Sequence, residues 1–122
     1  MQTYEYIQQV LVTSATPEDK AKCLALEINW LSDKLEQNKL SLQEAKAEAD
    51  KAWSVYKDLR GDFLQGKGKL ADLKLAYMMA INWDSCVVRY MEEVEYIENE
   101  IRKTQEKLGD LLDNLEVDWL LS

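Results

Sequence analysis

The chain has 122 residues, 47% of them apolar and 31% charged, with a net charge of −8, no histidine, two cysteines and one proline. That apolar fraction suffices for the core of a single domain, whereas four glycines and one proline are too few turn formers for an all-β fold, which needs one every ~8–12 residues. The acid excess repels phosphate backbones, so no direct nucleic-acid binding is expected, and two cysteines without histidine cannot supply the four ligands of a structural zinc site.

Taken in chain order, the opening Met1-Gln2-Thr3-Tyr4-Glu5 lacks the basic start and apolar run of a secretory signal. The expected compartment is therefore the cytoplasm, of the protein's own cell or of a host. Tyr4, Ile7, Val10 and Leu11 recur at helical spacing and predict a short amphipathic helix over about 3–12, with Thr3 as its cap. Thr16-Pro17-Glu18-Asp19 then opens a long helix. Threonine caps free amides, proline occupies the first position where no donor is needed, and the two acids oppose the positive end of the helix dipole.

From Leu24 to Phe63 the series Leu24, Ile28, Leu31, Leu35, Asn38, Leu42 continues through Ala45, Ala49, Ala52, Tyr56 and Leu59 in alternating steps of four and three. A period of 3.5 is the seam of a coiled coil, here with Asn38 as its one polar member. Ser41 and Glu44 resemble a capping box that would restart a helix near Lys39, but the seam keeps its phase across the site and predicts one helix over about 17–64. Gly61, Gly66 and Gly68 then place a turn at about 65–68, and a second seam from Leu73 to Leu115 predicts a helix over about 69–115, followed by an apolar tail at 116–122. Short glycine-rich connections join antiparallel neighbours. The expected fold is all-α: a long antiparallel, coiled-coil-like hairpin with a short N-terminal helix.

Three features bear on association. First, if the chain reverses near Lys67, the alanines at 45, 49 and 52 face Tyr77, Trp83 and Val87, small against large. Second, Tyr77, Met78, Met79, Ile81, Cys86, Val88 and Met91 make the second helix apolar around most of its girth near the turn, more than one partner helix covers. The cover must come from the N-terminal helix, the tail Trp119-Leu120-Leu121 or another chain, and the expected arrangement is self-association as a dimer that completes a helical bundle, with Ile81, Val88, Trp83, Met91 and Trp53 at the contact. Third, residues 92–122 alone carry −7. Together with Trp30, its neighbour one turn earlier, Leu26, and Trp119, the acids Glu92, Glu95 and Glu98 form a candidate surface for a protein partner.

No catalytic chemistry is read from the chain. A nucleophile needs an adjacent base, histidine is absent, and Cys86 lies among apolar residues that suit packing rather than reactivity. Cys23 and Cys86 would lie roughly 35 Å apart in such a hairpin, against a disulfide limit of about 7 Å, so both are expected as free thiols. The acid runs lack the Glu-x-x-His element of helical di-metal sites, and Leu75 to Met91 falls short of the ~20 residues that span a bilayer, so neither cofactor nor membrane is expected. The small secreted hairpins that carry Trp-x-Gly in their turn are similar in outline, but this chain has no such motif. In size and charge the sequence is also similar to phage-encoded inhibitors of host machinery. The expected function is a non-enzymatic adaptor, scaffold or assembly component, with the alternative of an acidic inhibitor that occupies a basic, nucleic-acid-binding surface on a larger protein.

Overall fold

In the computed structural model the described residues are 16–122, so the short helix expected over about 3–12 lies outside them. All regular structure among the described residues is helical: α1 spans Pro17–Leu64 and α2 spans Leu70–Leu121, and the two pack against each other. The start of α1 follows from its sequence. Thr16 Oγ1 accepts the Asp19 amide at 3.2 Å, the Thr16 carbonyl accepts the Lys20 amide, and Pro17 takes the first helical position. The helix runs unbroken past Lys39, so the Ser41/Glu44 pattern starts nothing.

At its end the Gly66 amide bonds the Phe63 carbonyl at 3.0 Å and the Lys67 amide bonds the Asp62 carbonyl at 2.9 Å. This is the paired closure that satisfies the last carbonyls of a helix when the next residue is left-handed, and Gly66 has φ of 78°. Gly68, with φ of 84°, completes the reversal, and the Lys69 carbonyl then accepts the first amide bonds of α2. The second helix continues through Leu121, so the stretch expected as a tail from residue 116 is helical to its penultimate residue.

The structure divides into two units, each drawing on both helices: an end unit of residues 1–36 with 95–122, and a turn unit of residues 37–94. In the end unit the core consists of Cys23, Leu24, Leu31, Ile97 and Leu115, with Ile28, Leu35, Ile101, Leu108 and Leu111 half-buried beside them. Its buried polar member, Thr104, donates its hydroxyl to the Glu100 carbonyl at 2.8 Å, so burial leaves no unmet donor.

The core of the turn unit is of a different make. Ala45, Ala49, Ala76 and Ala80 are buried, with Val94 at the unit's edge, and Leu42, Tyr56, Leu59, Leu73, Trp83 and Val87 are half-buried. Alanine on both helices allows close backbone approach but removes little apolar area from water, and the large side chains are left to the flanks. The expected small-against-large pairing therefore holds only in part. Ala45 shares a pocket with Trp83, and Ala52 lines a groove together with Ala76 and the larger Leu59, Leu75 and Met79. Tyr77 stands one residue beyond Ala76, about 100° further round the helix, and packs at the edge of the seam against Trp53 and Tyr56.

Candidate interaction surface

In the turn unit the seam has two unlike flanks. On one, the Trp53 indole Nε1 donates to both Asp84 carboxylate oxygens at 3.1 and 3.0 Å. Its ring meets Tyr56 and Tyr77 edge-on at 5.7 and 5.9 Å, and the two tyrosines lie 5.4 Å apart. Such edge-to-face pairs suit the ring quadrupoles. Trp53, expected at a self-association contact, is thus engaged within its own chain and fixes which helix stripes share this flank. Met91 lies seven residues after Asp84, and Ile81 and Val88 are seven apart beside it. All three are exposed, Val88 and Met91 by half of their surface. The charges spaced with these residues are mostly basic: Lys39, Lys46 and Arg60 share the heptad stripe of Trp53, and Lys57 and Lys74 stand beside it, against Asp50 and Asp84.

The opposite flank carries a groove of 280 Å³ lined by Ala52, Val55, Leu59, Leu75, Ala76 and Met79, with Asp72 at its edge. Val55, Leu75 and Met79 are more than half exposed, so the groove is apolar and open. Further along, Ser41, Glu44, Ala45, Glu48, Trp83 and Tyr90 line a second pocket, which puts Trp83 on the seam and outside the exposed cluster of Ile81, Val88 and Met91. The charges that share the heptad positions of this flank are mostly acidic: Glu44, Glu48, Asp58, Asp62, Asp72 and Glu93 against Lys51 and Arg89. Glu48 is held by Lys51 at 3.4 Å, an exposed pair of the kind that contributes little to stability. Sequence reading missed Val55 and Leu75 as surface residues. The signal was present, because Val55 and Met79 each fall in the stripe next to the seam, but only packing shows that the two stripes face the same side.

The end unit holds most of the remaining candidates. Leu26 and Trp30 are half-buried, and the Lys34 ammonium lies 5.3 Å from the Trp30 ring centroid, a cation–π contact. Trp119 is 56% exposed in the last turns of α2, followed by the still more exposed Leu120 and Leu121. Glu95 and Glu98 are exposed, and Glu92, also exposed, belongs to the turn unit. An ion pair in this stretch joins Glu100 to Lys103 at 3.5 Å. Burial raises the carboxyl pKa of Glu27 above its ordinary 4.5; Lys107 pulls it back and Glu100 pushes it up.

Charge separates the units sharply. The end unit has six basic against fourteen acidic side chains and carries the whole −8, while the turn unit has nine of each and is neutral. Among the described residues no group of three acidic or cysteine side chains is placed to hold a metal ion, and no helix is long and apolar enough to cross a membrane. Comparison with protein-family models, with curated proteins and with solved structures finds no match to this chain.

Proposed function

We propose that this protein is a non-enzymatic interaction module that self-associates through its turn unit and serves as an adaptor, scaffold or assembly component. The observation that carries this reading is the exposure of Val55, Leu75, Met79, Ile81, Val88 and Met91 on a unit with no net charge. Apolar area drives association, and a neutral unit meets its own copy without net repulsion. Sedimentation velocity over the micromolar range tests the reading. Wild-type protein is expected to exceed the mass of one chain, and Val88→Asp is expected to shift it toward monomer with its helix content retained. A wild-type monomer at every concentration refutes the proposal.

A second reading has its own support, the concentration of the full negative charge on the end unit beside the exposed Trp119. In this reading the end unit occupies a basic, nucleic-acid-binding surface of a larger protein. Charge would set the rate and specificity of encounter, and the tryptophan would supply a buried anchor. Capture from host lysate should then weaken steeply with salt and with Glu95→Lys plus Glu98→Lys. Capture that survives both conditions refutes it.

A further inference from the structure

We propose that copies of this chain associate through unlike faces, the acidic groove flank of one turn unit against the basic aromatic flank of the next, so that assembly proceeds as a ring or open stack instead of closing as a two-fold dimer. The inference rests on the self-association proposed above and deepens it. A two-fold contact pairs a surface with itself. Here each such pairing opposes like charge: the groove flank has six acidic against two basic side chains, and the other flank has five basic against two acidic. Pairing the unlike flanks sets a net −4 against a net +3.

Apolar exposure agrees with this arrangement. Leu75 and Met79 open one flank at 61% and 52%, while Val88 opens the other at 52%, and the two flanks lie on opposite sides of the same seam. A two-fold dimer would cover one flank and leave the other in water. Repeated unlike contacts cover both in every internal copy. The groove is apolar and open, and it offers cover to the exposed Ile81, Val88 and Met91 of the next copy, between flanks of opposite charge. Apolar burial provides the affinity and charge selects which face meets which. Contacts closer than the ~8 Å screening length at physiological salt keep that selection.

Two charge-reversed variants test the proposal. One carries Glu44→Lys with Asp58→Lys on the groove flank, the other Lys46→Glu with Lys57→Glu on the basic flank; all four positions are exposed, and circular dichroism checks that helix content is kept. Wild-type protein is expected to pass twice its 14.2 kDa chain mass by light scattering as concentration rises. Each variant alone is expected to lose that growth. Mixed in equal amounts, the intact basic flank of the first variant and the intact groove flank of the second should pair and give complexes larger than one chain that neither variant forms alone. A wild-type plateau at the dimer, or a variant that dimerises alone while mixing adds nothing, overturns the unlike-face arrangement and leaves self-association standing. A wild-type monomer at all concentrations overturns both.

Discussion

Glu27 illustrates how much a single side chain depends on its surroundings. Desolvation raises its pKa above 4.5, Lys107 opposes the rise, and Glu100 adds to it. The folded chain therefore binds this proton more tightly than the unfolded chain does. The resulting stabilisation is complete below pH 4.5 and is lost as pH rises through the raised value. Glu27→Gln, neutral at every pH, should raise the melting temperature at pH 7 relative to wild type, with the difference vanishing in acid; thermal melts at both pH values check it. Glycines give a second contrast. Gly109 lies inside α2 with open space where a Cβ would stand, so Gly109→Ala should stabilise by about 0.5–1 kcal/mol in denaturant melts. Gly66 also has open space, but its φ of 78° is left-handed, and Gly66→Ala should destabilise by about 1 kcal/mol for backbone reasons alone.

At the scale of elements, both long helices owe their limits to short-range chemistry. Thr16→Ala removes the acceptor of the Asp19 amide and should cost about 1 kcal/mol, with fraying confined to the first turn of α1 in hydrogen exchange. The seams were legible from period alone: of the heptad residues from Leu24 to Phe63, only Phe63, in the last turn of α1, is exposed, at 39%. The end of α2 was not legible. The heptad stops at Leu115, yet no glycine or proline follows to end the helix, and it runs on to Leu121. A lapse in the apolar pattern marks where packing ends, whereas helix termination requires a residue that breaks the hydrogen-bond ladder.

For the whole molecule, the separation of charge gives each unit its own expected behaviour. Val88→Asp places a charge on an apolar patch of the neutral unit and should weaken self-association by ~10-fold or more, since losing about 1.4 kcal/mol already amounts to tenfold. Trp119→Ala and Glu95→Lys alter only the acidic unit and should leave the sedimentation profile unchanged. If Trp119→Ala instead dissolved the assembly, the contact would lie in the end unit.

The sequence by itself determined that the chain is helical, where α1 begins, where the turn lies and which residues form the two seams. Each of these depends on local backbone chemistry or on a period within one helix. It also located the excess of apolar side chains around Ile81 and Val88. Only the tertiary structure decided how the flanks are composed. Whether Trp53 joins Asp84 and Tyr77, or Val55 joins Met79 and Asp72, depends on the register between two helices, and a period within either helix carries no information about that register. In the turn unit the seam positions include the small Ala45, Ala49, Ala76 and Ala80, while Val55, Leu75, Ile81 and Val88 lie outside the seam, where a single partner helix does not cover them.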